Sequence, residues 1–265
     1  TGLPTRVAQG DILQAKNPTH GDVKSITLMP GNLTECYTEV VRAFNLADRF
    51  MQPVFVLLDE TIGHMAGKVS LPDLNEIEKE RVHRKRFDGD KKDYLPYGVK
   101  ENEPAVLNPM FEGYRYHFTG LHHGPTGHPT EDGVVCDALM KRLFKKVEDF
   151  SNELESNEEY MLEDADILII AYGSVSLGVK EAVNRLRKDG IKAGMFRPKT
   201  IWPSPEKRIN ELVNKFDKVL VAELNMGQYS AEIQRASGRK DFHTLLKANG
   251  RPLSPLEIIE KVKGM

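Results

Sequence analysis

The sequence has few cysteines, no long apolar run and no excess of basic side chains. Cys36 and Cys136 are its two thiols, which excludes a disulfide framework, a four-cysteine zinc site and an iron–sulfur cluster held by this chain alone. No apolar run reaches the roughly eighteen residues of a membrane span, so we expect no membrane partner. The formal net charge of −2 leaves no basic excess to displace counterions, so we expect no nucleic-acid partner. The low thiol count fits a reducing cytoplasm, which is the predicted location.

Residues 1–75 have the pattern strand, helix, strand. SITLM at 25–29 is a short apolar run, and PVFVLLDE at 53–60 is a longer one that opens on proline and ends on two acids. Between them, Asn32 or Thr34 can cap a helix whose apolar residues recur at helical spacing. Continuous apolar strands that alternate with helices indicate an α/β domain with a parallel sheet covered on both faces.

Residues 76–160 differ from the first region in charge density and in their lack of regular apolar spacing. A charge-dense segment is followed by roughly forty residues without periodicity, which is unusual inside a compact domain. The region ends in CDALMKRLFKKVEDFSNELES, the pattern of an amphipathic helix. We expect an extended arm and a linker helix. Because Phe111, Tyr114, Tyr116 and Phe118 are costly to leave in water, the arm is predicted to wrap a neighbour.

Residues 161–265 give the clearest pattern. The apolar runs ADILIIAYG, IKAGMFRP and DKVLVAELN alternate with segments of helical periodicity, and two further helices follow. Three buried strands alternating with helices predict a doubly wound α/β domain.

GSVSLG, residues 173–178, lies between a predicted strand and a predicted helix. Its glycine spacing mimics a phosphate-binding loop, but Val179 stands where that motif requires lysine. We favour a strand-to-helix turn capped by Ser174 or Ser176, and we expect no nucleotide to bind there.

Three further groups of polar residues have competing interpretations. Glu60 and His64, just after a predicted strand, form an acid/base pair or place Glu60 as a helix cap. RVHRKR at 81–86 is flanked by acids, which favours a solvated face.

Four histidines share a segment near Cys136, but their spacing matches no zinc pattern and Gly, Pro and Thr between them indicate a loop, so no metal site is predicted. Those histidines are His117, His122, His123 and His128.

Five segments in order carry a family resemblance. They are TGLPTRVAQGDILQA with THGD, AFNLADRFMQPVFVLLDETIGHM, GYRYHFTGLHHGPTGHPTED, AYGSVSLGVKEAVNRLRKDGIKAGMFRPKTIWP and VLVAELNMGQ. Together they resemble the alpha subunit of 2-oxoacid:ferredoxin oxidoreductases, with the 2-oxoglutarate type the most similar. The resemblance covers essentially the whole chain. It implies part of a thiamine-pyrimidine-binding-like α/β domain over 1–75, an arm and linker helix over 76–160, and a transketolase C-terminal-like doubly wound domain over 161–265.

The resemblance also implies a reaction, which is thiamine-dependent oxidative decarboxylation of a 2-oxoacid to acyl-coenzyme A, with electrons passed to ferredoxin. In such complexes the beta subunit supplies most of the site for thiamine diphosphate and Mg²⁺, and a partner subunit holds the iron–sulfur cluster. We therefore expect this chain to hold no cofactor alone and to be inactive without a beta subunit.

The resemblance places contacts to the 2-oxoacid at Thr1, Thr5 and His20. A threonine hydroxyl offers one donor and two acceptor sites to a carboxylate or ketone. The family's activating glutamate and a substrate-binding arginine map upstream of Thr1, so the chain is expected to be the C-terminal part of the subunit. The catalytic residues and the cofactor contacts of this chain are not identified from the sequence.

Two alternatives remain open. The chain could be a non-catalytic interaction or scaffold subunit, in which the aromatic arm docks a partner. It could also belong to another transketolase-like thiamine enzyme, which needs no ferredoxin. A redox assay separates this second alternative from the ferredoxin-dependent oxidoreductase that the resemblance implies.

Overall fold

Residues 2–265 are described by a computed structural model that contains two β-sheets and their covering helices. The strands are β1 (Ile26–Leu28), β2 (Val54–Val56), β3 (Asn157–Tyr160), β4 (Ile167–Ile170), β5 (Ala193–Pro198), β6 (Thr200–Trp202), β7 (Lys218–Glu223) and β8 (His243–Leu246). The α-helices are α1 (Ile12–Lys16), α2 (Leu33–Phe50), α3 (Glu60–Gly63), α4 (Leu74–Glu80), α5 (Gly133–Glu148), α6 (Ser151–Leu154), α7 (Val175–Lys188), α8 (Glu206–Lys215), α9 (Gln228–Ser237) and α10 (Pro255–Lys263). None of these helices has both the length and the apolarity needed to cross a membrane, within residues 2–265.

The second part of the chain forms a five-stranded sheet in the order β3–β5–β4–β7–β8. β4, β5, β7 and β8 are parallel, and β3 pairs antiparallel with β5 at one edge. Helices α8 and α9 cover one face and α7 and α10 the other, with an apolar cluster on each side. The predicted doubly wound α/β class is confirmed. The sequence pattern does not predict β3 and β8, because NEEY and HTLL are partly exposed edge strands without a continuous apolar run.

The first part forms a three-stranded sheet in the order β2–β1–β6, with β1 and β2 parallel and β6 antiparallel to β1. β5 ends at Pro198 and β6 begins at Thr200, so the chain passes from one sheet to the other across Lys199. Asn32, the first of the two predicted caps, begins α2 by accepting a hydrogen bond from the Glu35 N–H at 3.0 Å. The domain bounds at 75 and 160 stay a prediction.

The arm is organised around Asn108, which is almost completely buried. Its amide donates to the Phe87 carbonyl and accepts from the Phe87 N–H, both at 2.8 Å, and its backbone N–H donates to Tyr94 Oη at 2.7 Å. Phe87, Tyr94, Tyr114 and Tyr116 pack against one another around this point, mostly edge to face. The arm has little regular secondary structure, as predicted, but a satisfied polar group and an aromatic cluster hold its shape.

Other apolar side chains of the arm face solvent. Phe111 and Phe118 are exposed, as are Met110 and Leu121 nearby. Two of the four aromatic residues that motivated the prediction of a wrapping arm therefore pack within the chain, and two do not. The contact with a neighbouring chain stays a prediction.

Arg197, on β5, joins the two sheets through ion pairs. Its side chain is 2% exposed; Nη1 and Nη2 donate to the two oxygens of Glu35 on α2, at 2.8 and 2.5 Å, and Nε donates to Glu158 on β3 at 2.8 Å. Lys180 also pairs with Glu158, and the Gly31 N–H donates to Glu35 at 2.8 Å. Burial raises the pKa of Glu35, but the hydrogen bonds from Arg197 and Gly31 outweigh burial, and the pKa of Glu35 is lowered overall. The carboxylate is therefore charged and stabilising at neutral pH.

Lys146, on α5, is a buried amine with a predicted effect on stability. Its Nζ donates to the Phe50 carbonyl at 3.0 Å, and burial, together with the nearby charge of Arg142, lowers its pKa to about 8. Between pH 8 and the ordinary value of 10.5 the unfolded chain binds more protons at this group than the folded chain does. Stability from this group therefore rises with pH across that window, by an amount on the order of 3 kcal/mol at most.

We expect Lys146→Met to remove this rise, because methionine fills a similar space without a titratable amine. Urea unfolding at pH 7, 8, 9 and 10 measures it. The exposed Lys207→Met variant is the matched control and is expected to keep the wild-type dependence on pH. An unchanged pH dependence in Lys146→Met would show that the amine is not buried as described.

Candidate functional site

Open α/β sheets bind ligands outside the carboxyl ends of their strands, where the strand order reverses. In the five-stranded sheet this point lies between β4 and β7, because β5 and β7 flank β4 on opposite sides. The loop after β2 reaches the same place. We call this region the carboxyl edge and define it by Gln9, Asp59, Tyr172, Glu223 and Asn225, all of which are buried.

Gln9 ties the N-terminal segment to the ends of β4 and β7. Its Nε2 donates to the Tyr172 carbonyl at 2.9 Å, and its Oε1 accepts from the Leu224 N–H at 3.0 Å. The backbone N–H of Gln9 donates to the Leu224 carbonyl at 2.9 Å, and Asn225 Nδ2 donates to the Gln9 carbonyl at 2.9 Å. The N-terminal segment therefore enters the crevice at the switch point and is held there by four hydrogen bonds to these two strand ends.

Asp59 supplies the anion at the N-terminus of α7. Its Oδ2 accepts from the Ser174 N–H at 2.8 Å, where the helix dipole favours negative charge. Gly173 has φ +55°, and a Cβ there would lie 2.7 Å from Gln9 Nε2 and 2.9 Å from Asp59 Oδ2, so only glycine fits. GSVSLG is thus a strand-to-helix turn, as predicted. Ser174 is the N-cap residue, one of the two predicted positions, but its side chain makes no capping hydrogen bond. Ser176 is not the cap, and its Oγ donates to the Gly173 carbonyl.

Glu223 is the most enclosed charge of the carboxyl edge. It has no exposed surface, and its oxygens accept from Tyr172 Oη at 2.7 Å, from the N–H groups of Tyr229 and Ser230 at 3.0 Å, and from Ser230 Oγ at 2.6 Å. Asn225 Nδ2 donates to Tyr172 Oη at 2.8 Å. Burial, with the Glu223 carboxylate beside the ring, raises the pKa of Tyr172 well above its ordinary value, so the hydroxyl remains a donor. The network fixes the start of α9 against β4.

Thr5 lies on the segment that leads into the carboxyl edge, four residues before Gln9. Its neighbours Leu3 and Arg6 pack on the loop after β8, where a Cβ on Gly250 would lie 2.9 Å from both. Thr5 is exposed and has φ +57°, a conformation that β-branched residues rarely adopt and that recurs in functional loops. Thr1, predicted in the same loop, lies outside the described residues.

His20 is exposed in the loop before β1. Thr19, Asp22 and Ser25 of that loop line a groove of about 410 Å³ together with Pro53, which immediately precedes β2. This groove is at the amino ends of β1 and β2, whereas Gln9 and Asp59 lie beyond the carboxyl ends. The structure therefore does not bring His20 together with Thr5 at one edge, and its predicted contact with the 2-oxoacid stays a prediction.

Glu60 and His64 lie at the two ends of the short helix α3, which follows the loop after β2. Glu60 Oε1 and His64 Nδ1 are 3.2 Å apart, one turn apart along α3. Asp59, whose Oδ1 accepts from the Ile62 N–H at 3.3 Å, caps α3, so the prediction of Glu60 as the cap is wrong. The acid/base role of this pair stays a prediction.

The other polar groups singled out in the sequence lie on the arm or next to it. His117 stacks on His128 with ring centres 5.0 Å apart, and His123 meets the Tyr97 ring at 4.3 Å. Within residues 2–265 no group of three or more His, Cys, Asp or Glu side chains is placed to hold a metal ion. The basic run at 81–86 is a solvated face, as predicted; its ion pairs are Arg81–Glu78, Arg84–Asp48, Lys85–Glu103 and Arg86–Glu112.

Two family models match this chain. Residues 1–141 match the model described as "Pyruvate flavodoxin/ferredoxin oxidoreductase, thiamine diP-bdg", which includes β1, β2, the N-terminal segment and the arm. Residues 165–258 match "Pyruvate:ferredoxin oxidoreductase core domain II", which includes β4 to β8. The fold and these matches define the class, which is that of oxidoreductase subunits with a thiamine diphosphate-binding domain.

Similar proteins narrow the class. The 2-oxoglutarate synthase subunit KorA of Methanothermobacter marburgensis is 37% identical over all of this chain and 70% of its own length, and that of Methanocaldococcus jannaschii is 36% identical over 98% and 69%. The solved 2-oxoglutarate:ferredoxin oxidoreductase from Magnetococcus marinus, with 2-oxoglutarate, coenzyme A and succinyl-CoA bound, matches with a TM-score of 0.90 at 28% identity, over 99% of this chain and 46% of that chain. The chain belongs to the alpha subunits of the 2-oxoacid:ferredoxin oxidoreductase family. It spans about 70% of the KorA subunits and under half of the solved chain.

The two buried carboxylates of the carboxyl edge have their hydrogen-bond partners within the chain. These carboxylates, Asp59 and Glu223, are engaged by N–H and O–H groups of the protein itself. Their oxygens stabilise the N-terminal ends of α7 and α9.

Long-range partners explain which site residues the sequence does not predict. Gln9 forms hydrogen bonds with Tyr172 and Leu224, which are 163 and 215 positions further along the chain, and no local sequence pattern indicates such pairs. Glu223 and Asp59 do carry a signal, since each follows an apolar strand at its carboxyl end.

Proposed function

We propose that this chain is the alpha-subunit part of a 2-oxoglutarate:ferredoxin oxidoreductase. The complex would convert the 2-oxoacid and coenzyme A to acyl-coenzyme A and carbon dioxide, with ferredoxin as electron acceptor. The observation that carries the proposal is the match, over nearly the whole chain, to the Magnetococcus marinus enzyme with 2-oxoglutarate bound. Relatives named 2-oxoglutarate synthase subunit KorA support the same substrate.

A beta subunit is the proposed partner. In this proposal that partner holds Mg²⁺ and most of the thiamine diphosphate, which would supply the electron sink for decarboxylation when bound. The two cysteines of this chain are both free and far fewer than a cluster requires, which supports an iron–sulfur cluster on another subunit. Free thiols also suit the proposed cytoplasmic location.

The role proposed for this chain is to present the segment around Thr5 to the 2-oxoacid. Gln9 and its four hydrogen bonds anchor that segment to the ends of β4 and β7, so Thr5 is held beside the carboxyl edge. Its exposed hydroxyl makes no hydrogen bond within residues 2–265 and is free to donate to a carboxylate or ketone. The same role is proposed for Thr1.

Thr5→Ala is expected to raise the KM of the assembled enzyme for 2-oxoglutarate about tenfold, the effect of losing a hydrogen bond to a charged group. Thr5→Ser keeps the hydroxyl and is expected to stay close to wild type. Steady-state kinetics with a viologen acceptor measures both. If the subunit is only a scaffold, Thr5→Ala and Thr5→Ser will leave both KM and kcat unchanged while the complex still assembles.

Reconstitution tests the activity itself. The full-length subunit is combined with the beta subunit of the same organism, thiamine diphosphate and Mg²⁺, and reduction of ferredoxin or viologen is followed. We expect reduction that requires both 2-oxoglutarate and coenzyme A, and much weaker rates with pyruvate. An assembled complex that reduces no acceptor with any 2-oxoacid would contradict the proposal, and turnover without an electron acceptor would favour another transketolase-like enzyme.

A further inference from the structure

A groove of about 490 Å³ lies between the arm and α5. Pro125 of the arm and Val134 and Leu139 of α5 give it apolar walls, and Tyr97 and Arg142 bring polar groups to it. We call it the arm groove and define it by these five residues. Neither the carboxyl edge nor the groove at the amino ends of β1 and β2 shares a residue with it.

Arg142 is the unusual group of the arm groove. Its residue surface is only 7% exposed, yet its guanidinium makes no hydrogen bond and no ion pair with any residue of 2–265. Burial lowers the pKa of Arg142, but a guanidinium remains charged in proteins and keeps five N–H donors. None of its nitrogen atoms is among the buried side-chain atoms that lack a partner, so the guanidinium opens onto the groove and its donors are available to an acceptor there.

The acidic side chains of the groove do not neutralise Arg142. Glu101 pairs with Lys145 at 2.7 Å, and Asp137 pairs with Lys141 at 2.6 Å. Each of these two carboxylates is therefore neutralised by the ammonium group of a lysine. The uncompensated charge at the groove is that of Arg142, and it is positive.

Two aromatic side chains add unpaired polar atoms. Tyr97 Oη has no hydrogen-bond partner within residues 2–265, and burial raises the pKa of Tyr97, so the hydroxyl keeps its proton and can donate. His123, whose ring lies 4.3 Å from that of Tyr97, has Nδ1 at 2.9 Å from the Leu121 carbonyl and an Nε2 that is buried without a partner among the described residues. When Nδ1 donates to that carbonyl, Nε2 of the neutral ring is an acceptor, so the available donors of the groove are the Arg142 guanidinium and the Tyr97 hydroxyl.

We infer that the arm groove binds the carboxylate or phosphate group of a small molecule, with Arg142 and Tyr97 as donors and the apolar walls against the rest of the ligand. The planar fork of an arginine matches either anion with two parallel hydrogen bonds. An apolar pocket with a few convergent polar groups is the ordinary form of a small-molecule site.

Titration of the full-length subunit tests this inference. The probes are inorganic phosphate, acetate and adenosine monophosphate, followed by calorimetry and by the amide NMR signals of Gly124 and Arg142. We expect adenosine monophosphate to bind more tightly than phosphate, because its base covers the apolar walls. Binding of acetate alone would assign the site to carboxylates, and binding of the phosphates alone to phosphate esters; both results support the inference.

Arg142→Met is expected to weaken every probe that binds by about tenfold or more, since charge-assisted hydrogen bonds are lost. Arg115→Met, which removes an exposed arginine of the arm without an ion pair among residues 2–265, is the matched control and is expected to leave the affinities unchanged. Equal affinities in wild type and Arg142→Met, or no binding of any probe at about 10 mM, would overturn the inference. If Arg142→Met does not fold, Tyr97→Phe is the deciding variant. We expect it to lower the affinity for the probes about threefold, and an unchanged affinity would contradict the site.

Discussion

Arg197→Met is expected to lower the free energy of unfolding at pH 7 by about 3–5 kcal/mol, the range found when one partner of a buried ion pair is removed. Glu35 would lose the bidentate contact with Arg197 and keep only the hydrogen bond from the Gly31 N–H. Glu158 would keep Lys180. The main cost is therefore a stranded carboxylate between the two sheets. Urea unfolding measures it, and the exposed Arg251→Met is the matched control.

The pH dependence identifies the cause of that loss. In the wild type the pKa of Glu35 is lowered, so its contribution is present at neutral pH and is lost as the pH falls through the folded-state value. In Arg197→Met the carboxyl can protonate at higher pH, because burial raises its pKa and the arginine no longer opposes this effect. The difference between the two proteins should narrow between pH 7 and pH 4, and Arg197→Met combined with Glu35→Leu should recover much of the stability. A difference below about 1 kcal/mol at pH 7, or one that does not change with pH, would contradict a buried ion pair at this position.

Glu223→Gln is expected to cost about 2–4 kcal/mol, because an amide places N–H donors where the protein already presents donors. Tyr172 Oη, Ser230 Oγ and the N–H groups of Tyr229 and Ser230 all point at the carboxylate. The helix α9 also loses a full negative charge at its N-terminus. Glu260→Gln, on an exposed face of α10, is the matched control and is expected to change stability by less than about 0.5 kcal/mol.

The Glu223 variant also tests whether the carboxyl edge is one connected unit. Tyr172 links Glu223 to Asn225, and Asn225 holds the Gln9 carbonyl. We therefore expect faster hydrogen exchange at the N–H groups of Gln9 and Leu224 in Glu223→Gln. Unchanged exchange at Gln9 would show that the N-terminal segment is held independently of the network.

Much of the fold is predictable from local pattern. β4 is apolar along its length, and β5 and β7 are mostly apolar apart from Arg197 in β5 and the two ends of β7, because helices cover both faces of the sheet; that burial is visible in the sequence as apolar runs. β6 gives almost no signal in the sequence, since it is three residues long and follows β5 after a single residue. The arm has no period to detect because its order depends on one buried residue, Asn108, and on aromatic contacts.

The candidate site is only partly predictable. The resemblance places Thr5 in a working loop, and the structure supplies the reason that this loop lies at the carboxyl edge, namely the pairing of Gln9 with the ends of β4 and β7. Ser174 is the N-cap of α7, as one of the two predicted alternatives states, but its side chain makes no capping hydrogen bond. Asp59 reaches the same helix end from 115 residues earlier in the chain, and no local rule anticipates it.

The central claim is that the reacting groups of this enzyme are divided between this chain and a partner. Calorimetric titration of thiamine diphosphate with Mg²⁺, into the subunit alone and into its complex with the beta subunit, tests the claim most directly. We predict tight binding only in the complex, because in the proposed division the beta subunit holds Mg²⁺ and most of the thiamine diphosphate. Binding of equal affinity to the subunit alone would contradict the account.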